Sequence, residues 1–248
     1  MLEDLPLGSL ARSRALLRAF GYEQTEPGRF YSLLAADSAR QVASYVDLHG
    51  RWLLDVGGGP GYFADAFRAL GARYVGVDAD VGELSLHGRE VAEGTVLGSG
   101  LALPFRDGAV DVCYSSNVLE HVPDPELMAD EMVRVTRPGG TVLLSYNNWL
   151  APNGGHETAP WHYLGGKRAA DRYARRTGRR PKNDYGSTLF RLSVSRMLRW
   201  QAGAVAAGRV EVVDVLPRYH PQWASWVVRV PALRELATWN LLLVLRRR

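Results

Sequence analysis

Short apolar runs and helical stripes take turns along most of this chain. Leu10, Leu16, Leu17 and Phe20, then Leu33, Leu34, Val42 and Val46, recur at helical spacing and predict two helices within residues 9–49, separated by Gly21 and Pro27-Gly28. From Trp52 the pattern changes. Trp52–Val56, Tyr74–Val77, Thr95–Leu97, Val110–Ser116 and Thr141–Tyr146 read as buried strands. Between them, Phe63, Ala66, Phe67 and Leu70 mark a helix stopped by Gly71, Val81–Val91 a weak helix, and Pro125–Thr136 a helix ended by Pro138-Gly139-Gly140. A helix over Ser193–Ala206, a strand over Val210–Leu216, an aromatic segment over 220–239 and a strand over Asn240–Leu245 complete the chain. Strands alternating with helices predict an α/β fold with right-handed crossovers. The expectation is a seven-stranded, mostly parallel sheet with helices on both faces, its last two strands forming a hairpin-like antiparallel edge.

Residues 147–190 break this rhythm. They are rich in Gly, Asn, His, Trp, Tyr and Arg, and too long for an ordinary connection, although Lys167–Arg176 suits a helix. The expected organisation is an N-terminal helical cap over 1–49 and a main domain over 50–248, with 147–190 inserted as a lid over the ligand end of the sheet.

Composition narrows the class. With 248 residues, 46% hydrophobic and 23% charged, the chain suits one globular domain with a sizeable core. No apolar run reaches the ~20 residues that span a bilayer. Met1–Leu10 carries Glu3 and Asp4 and lacks a basic region followed by an apolar core, so no secretory leader is expected. The lone Cys113 lies in an apolar run and reads as a buried, inert thiol, which suits a cytoplasmic setting. The net charge of +4 concentrates in Lys167–Lys182 and Arg246–Arg248, which is either a solvated face or a surface for an anionic partner.

The segment Asp55-Val56-Gly57-Gly58-Gly59-Pro60-Gly61 carries the chemistry. It sits where a strand turns into a helix, and glycines there permit a sharp turn and close approach of a ligand. A dinucleotide fingerprint needs its third glycine where this chain has Tyr62, and a phosphate loop needs a Gly-Lys-Ser/Thr ending that is missing. The turn therefore suits a ligand without a pyrophosphate, with acidic Asp55 near its cationic end. Asp78 closes the second strand close by, where it either binds a vicinal diol or caps the next helix.

Asp55-x-Gly57-x-Gly59-x-Gly61 resembles the first motif of class I S-adenosylmethionine-dependent methyltransferases. Asp78 follows where that family holds the ribose hydroxyls. Leu103-Pro104-Phe105, Val110-Asp111-Val112, the run from Ser116 to Val122 and the run from Arg134 to Gly140 come in family order. Over roughly residues 50–146 they resemble the ubiquinone/menaquinone-biosynthesis-like group, the type 11 methyltransferase domain. The resemblance implies a Rossmann-like fold and S-adenosyl-L-methionine as cofactor, leaving S-adenosyl-L-homocysteine. It places the cofactor against Asp55, Gly57, Gly58, Gly59, Gly61, Asp78, Ala79, Ser99, Gly100, Leu101 and Asn117. One position departs: Gly98-Ser99-Gly100 stands where the family has Gly-Asp-Ala, so a neutral hydroxyl replaces the carboxylate that meets the adenine amino group.

A sulfonium donor is already activated, so such an enzyme mainly aligns the reactants and excludes water. A base is needed only if the acceptor must lose a proton. The candidates are His121, past the fourth strand, and His156 and His162 in the lid. Glu157 with the two lid histidines lacks the H-E-x-x-H spacing, and no metal is expected. Asn147 and Asn148 end the fifth strand, either facing the acceptor or capping. Tyr22, Phe30 and Tyr31 either pack or close over the cofactor. Trp223, Trp226 and Trp239, flanked by Arg218 and Arg229, form either a helix on the sheet edge or a surface for a lipid acceptor and peripheral membrane contact. The expected activity is methyl transfer to a small-molecule, lipid or glycolipid acceptor, on oxygen, carbon or nitrogen. A catalytically silent scaffold and a nucleic-acid methyltransferase are the alternatives, the latter short of an Asn/Asp-Pro-Pro-Tyr/Phe motif and a recognition domain.

Overall fold

The computed structural model describes residues 4–22, 25–79 and 92–248. The expected helix over Val81–Val91 lies outside these. Two helices, α1 (Leu10–Phe20) and α2 (Pro27–Ala43), precede the sheet. Ser9 caps α1 by accepting from the Arg12 backbone N–H at 3.1 Å, and Pro27 opens α2, where its missing N–H costs nothing. Then follow β1 (Trp52–Val56), α3 (Tyr62–Ala69), β2 (Arg73–Asp78), β3 (Thr95–Leu97), β4 (Val110–Ser116), α4 (Pro125–Val135) and β5 (Thr136–Asn147). Two short 3-10 turns, His156–Thr158 and Trp161–Leu164, lead into α5 (Gly166–Thr177). The chain ends with α6 (Val194–Ala206), β6 (Val210–Pro217), the 3-10 stretch Gln222–Arg229, α7 (Leu233–Ala237) and β7 (Asn240–Arg247).

The seven strands lie in the order β3-β2-β1-β4-β5-β7-β6. β1 to β5 are parallel, while β7 runs antiparallel to both neighbours. The expected antiparallel pair is present, with the later strand as the inner one. β7 enters between β5 and β6 because it is apolar from Leu241 to Leu245 and takes a fully buried place, whereas β6 alternates and takes the rim. A second difference concerns Pro138-Gly139-Gly140. The helix before it ends at Val135, and β5 begins already at Thr136, pairing with Val110 before the register shifts at Val112.

Each central strand is buried on both faces. Leu54, Cys113, Val142 and Leu243 pack with Met128, Met132 and Met197 of α4 and α6, while Leu53, Val112, Leu143 and Val244 pack with Val42 and Phe67 of α2 and α3. The residues alternate between faces at period two, which is how one run serves two helical layers. Cys113 is fully buried, and burial pushes its thiol up. Phe30 joins Leu16, Leu34 and Tyr219 in a third cluster under the N-terminal helices, with Tyr22 and Tyr31 packed against it.

Two buried arginines fasten those helices to the sheet. Arg12 donates Nε and Nη2 to the two carboxylate oxygens of Asp37, both at 2.7 Å, and Nη1 to the Arg218 carbonyl at 3.2 Å. Arg218, expected as a flank of the aromatic surface segment, is instead buried. Its donors reach Gln41 and Ser38 of α2, Tyr114 and Ser116 of β4, and Ser145 of β5, at 2.6–3.1 Å. The aromatic segment is a 3-10 stretch rather than a regular helix, with Ala224, Val227 and Val228 turned inward.

Removing one partner of a buried ion pair strands the other charge, at about 3–5 kcal/mol. Arg12→Ala and Asp37→Ala should each lower the urea-unfolding free energy by that amount. A loss below about 1 kcal/mol, the value of a solvent-exposed pair, would show that α1 is not held by this contact.

Candidate functional site

β1 sits between β2 and β4, the point where strand order reverses and where open α/β sheets bind ligands beyond the strands' carboxyl ends. The turn leaving β1 is shaped by contacts that tolerate no side chain at Gly57. Its φ is +81°, and a Cβ would lie 2.3 Å from a Val118 methyl. Gly61, with φ +76°, caps α3, and its Cβ would meet Ala92 at 2.5 Å. Gly57 donates to the Val77 carbonyl at 2.7 Å, which ties the turn to the end of β2. At Gly59 a Cβ would meet no heavy atom of the described residues within 4 Å.

Asp78 points at this turn: its Oδ2 accepts from the Gly59 N–H at 3.0 Å. Asp55 lies beneath, buried, accepting from the Tyr74 hydroxyl at 2.9 Å. Burial pushes the Asp55 carboxyl up to about 7; the Tyr74 bond opposes this, and the Asp78 charge adds to it. Ala79 is exposed directly after β2. Ser99, Gly100 and Leu101 form a tight turn after β3, in which the Ser99 hydroxyl accepts from the Leu101 N–H at 3.1 Å. A Cβ on Gly100 would touch Val56 and Met128 at 3.2 Å, which sets this turn beside the end of β1. Asn117 follows β4 with φ +59° and accepts from Asn240 at 2.7 Å. Tyr31 stacks on Tyr62, the first residue of α3, at 5.3 Å between centroids, so α2 borders the turn.

The histidines divide. His121, in the 3-10 turn Leu119–His121, meets the Thr188 carbonyl through Nδ1 at 2.7 Å. A carbonyl only accepts, so Nδ1 carries a proton, and Nε2 is the ring nitrogen not engaged by this contact. His156 stands opposite, with ring centroids 5.1 Å apart and a left-handed backbone, φ +47°. Burial first, and then the neighbouring His121, His162 and Lys182, push His156 down to about 3, leaving it a neutral imidazole. His162 packs behind Gly155, next to His156, but is buried, edge-on to Trp149 at 5.3 Å and against Tyr163 at 4.1 Å. Glu157 accepts from Asn183 at 3.1 Å, so the lid group of Glu157, His156 and His162 is not brought together. Instead Glu120, His121 and His156 converge, with one potential ligand atom from each within 4.8 Å of the others. Glu120 is fully buried. Its Oε1 accepts from the Asn147 N–H at 3.0 Å, and burial pushes its carboxyl up. The sequence motifs assign Glu120 no role of its own; the signal present is a carboxylate set among Leu119, His121 and Val122.

Asn148 caps the strand end: its side chain donates to the Glu235 and Thr238 carbonyls. Asn147 meets Asn240 at 3.2 Å. The basic stretch is partly self-neutralised, since Arg180 pairs with Asp171 and Asp184, and Arg172 lies over Trp161 at 3.9 Å. A depression of about 430 Å³ opens among Arg51, Asp111, Arg137 and Arg246. It lies at the amino ends of β1, β4 and β5, opposite the glycine turn. Among the described residues no helix is long and apolar enough to cross a membrane.

Comparison with known proteins shows the family. The methyltransferase domain family matches residues 54–144. An uncharacterized methyltransferase of Mycobacterium avium is 53% identical over 247 residues, covering 96% of each chain. The chain belongs to this methyltransferase family. A second relative, from Mycobacterium leprae, is 52% identical over 249 residues, covering 97% of this methyltransferase and 91% of its own length. In fold, the methyltransferase is similar to an S-adenosylmethionine-dependent methyltransferase from Mesorhizobium loti, with a TM-score of 0.56 at 20% identity, covering 86% of this chain and 98% of that one.

Asp55 gives the site a pH signature. Its carboxyl rises from 3.8 to about 7 on folding, so between those values the folded state holds a proton the unfolded chain has lost. Stability therefore falls as pH rises through that window. Asp55→Asn keeps an acceptor for Tyr74 and removes the titration. Its unfolding free energy relative to the parent should climb from about pH 4 to pH 7, at roughly 1.4 kcal/mol for each step of one in pH, and then level off. A flat difference across the window would mean Asp55 is ionised in both states.

Proposed function

We propose that this methyltransferase moves a methyl group from S-adenosyl-L-methionine to a small-molecule or lipid acceptor held between residues 147–190 and the carboxyl ends of the strands. The observation that carries the reading is the glycine turn lying beside the Asp78 carboxylate at the strand-order reversal. The residues present fit the cofactor: Gly57 excludes a side chain, Gly59 leaves room, and an acid stands at the end of β2. Bound there, S-adenosylmethionine supplies a methyl already activated on a sulfonium.

The chain's own residues then bind and align. Asp78 accepts from the ribose hydroxyls. Asp55, beneath the turn, faces the ligand's ammonium end, whose positive charge favours the ionised form of this otherwise proton-retaining carboxyl. The turn over Ser99, Gly100 and Leu101 with Ala79 flanks the adenine, and Asn117 closes the side nearest β4. Residues 147–190 act as the lid, docked where Phe190 donates to the Glu120 carbonyl at 2.8 Å and His121 donates to that of Thr188. Water exclusion under this lid favours an in-line displacement. The acceptor approaches past His121 and His156, the polar groups on its side. His162, behind Gly155, shapes the lid instead.

Calorimetry with S-adenosylhomocysteine tests the cofactor half. Saturable heat is expected for the parent, and Asp78→Ala should weaken binding by about ten- to a hundredfold, the loss of one or two charge-assisted hydrogen bonds. Gly57→Val should abolish binding. Parent protein that takes up no S-adenosylhomocysteine overturns the assignment. Tritium passing from labelled donor into a cell extract tests the transfer itself.

A membrane-borne acceptor is favoured by one observation. Trp223 and Trp226 are 71% and 50% exposed, with Leu233 and Leu236 of the adjoining α7 also exposed. Apolar aromatics on a surface suit the headgroup–acyl boundary. The protein should co-sediment with phosphatidylglycerol vesicles, and Trp223→Ala with Trp226→Ala should abolish this. Parent protein remaining in the supernatant overturns the membrane reading and leaves the cofactor site untouched.

A further inference from the structure

Glu120 poses an electrostatic problem that the methyl-transfer reading does not solve. It is 1% exposed, and only Oε1 has a donor, the Asn147 N–H. Oε2 is buried with no hydrogen-bond partner. Ionised, it is a buried anion with an unanswered oxygen; protonated, it is an O–H with nothing to receive it. Either state is costly in a dry interior. The Nε2 atom of His156 is likewise buried and without a partner. His121 has its Nδ1 turned to the Thr188 carbonyl, so Nε2 is the nitrogen through which its neutral form would bind an ion. A carboxylate and two imidazoles, each able to offer a ligand atom, thus converge.

We propose that Glu120 Oε2, His121 Nε2 and His156 Nε2 form a three-ligand site for a divalent transition ion of the zinc type, with its remaining position open to the acceptor. The inference rests on the methyltransferase reading for its role but not for its chemistry. Two imidazoles and a carboxylate, with one position left, are the ligand set of a catalytic zinc site. The surroundings supply what such ligands need. A ligating histidine gives its other N–H to a carbonyl or carboxylate, as His121 does to Thr188, and a ligating carboxylate is itself hydrogen-bonded, as Glu120 is to Asn147. His156 is held in an uncommon left-handed conformation in the turn Gly154–Thr158, which aims its ring back at His121.

The dimensions are compatible. Ligand atoms about 2.1 Å from a tetrahedral ion sit about 3.4 Å apart. Here one ligand atom from each of the three residues lies within 4.8 Å of the others, so closure needs side-chain shifts of about an ångström. His121 and His156 are half-buried and Glu120 fully so, which places the open coordination position on the histidine side. That is the side on which the proposed function places the acceptor. An ion there would hold an acceptor through an oxygen or nitrogen and favour its deprotonated form. The preferred acceptors are therefore chelating: a catechol, an α-hydroxy acid or a similar pair of donors.

The test uses the full chain after treatment with a chelator. Co2+ is titrated in while its visible d–d absorption is followed, Zn2+ is then added in competition, and S-adenosylhomocysteine binding is measured on the same samples. One ion per chain is expected, displaced by Zn2+. Glu120→Gln and His156→Ala should each weaken it on the order of a hundredfold, at least the effect of losing an outer-shell partner. Both should still bind S-adenosylhomocysteine, which reports that they are folded. The exposed, distant His49→Ala should behave as the parent. Parent protein that binds S-adenosylhomocysteine but takes up no stoichiometric ion overturns the metal site alone. Uptake that survives both Glu120→Gln and His156→Ala overturns it as well. A stoichiometric ion without S-adenosylhomocysteine binding upholds the metal site and overturns the cofactor assignment instead.

Discussion

A buried guanidinium must have every N–H answered, and Arg218 sets much of the architecture by meeting that demand. Its five donors make five hydrogen bonds, to Gln41, Ser116, Ser145, Ser38 and Tyr114. All five acceptors are neutral, and the carboxylate nearest in the network, Asp37, is engaged by Arg12. Burial works against the Arg218 charge, but Tyr114, Tyr219 and Asp37 outweigh it and raise its pKa. A planar fork of fixed geometry cannot satisfy five partners unless α2, β4 and β5 each keep their place. The N-terminal helices are thereby locked to the carboxyl ends of the central strands. The glycine turn lies at the same end, and Tyr31 of α2 reaches it through Tyr62.

That scaffold explains how much of the molecule is legible in its sequence. The described strands and helices between Trp52 and Val135 follow local periodicity, and each central strand reads as buried without knowledge of its partner. The glycine turn is legible for the same reason. Its φ angles and its clash with Val118 are backbone facts that only glycine satisfies, so the residue type carries the geometry. Asp78 follows from strand length alone, since it ends the strand beside the turn.

What escapes is non-local. Arg218 looks like a surface flank because its five partners come from residues 38, 41, 114, 116 and 145, and no window of sequence contains them. The place of β7 between β5 and β6 depends on competition for the buried position, which chain order does not reveal. The cluster of Glu120, His121 and His156 forms across residues 147–190, whose irregular backbone has no period to read. Sequence spacing groups His156 with Glu157 and His162. The turn at Gly154–Thr158 separates them and turns each toward a different neighbour.

The short stretch from Asn117 to His121 then links both halves of the proposed reaction. Val118 presses on Gly57, so the turn cannot shift without moving this segment. Two residues later Glu120 fixes the Asn147 backbone and receives Phe190, and His121 holds Thr188. An in-line displacement loses rate steeply with small misalignments between donor and acceptor. In the proposed reaction, a five-residue link anchored to the glycine turn at one end and to residues 188–190 at the other would keep that alignment by close packing. It also gives a physical reason for a buried glutamate here. An aliphatic side chain would pack equally well, but only a carboxylate could hold the strand end through one oxygen and offer the other to the acceptor side.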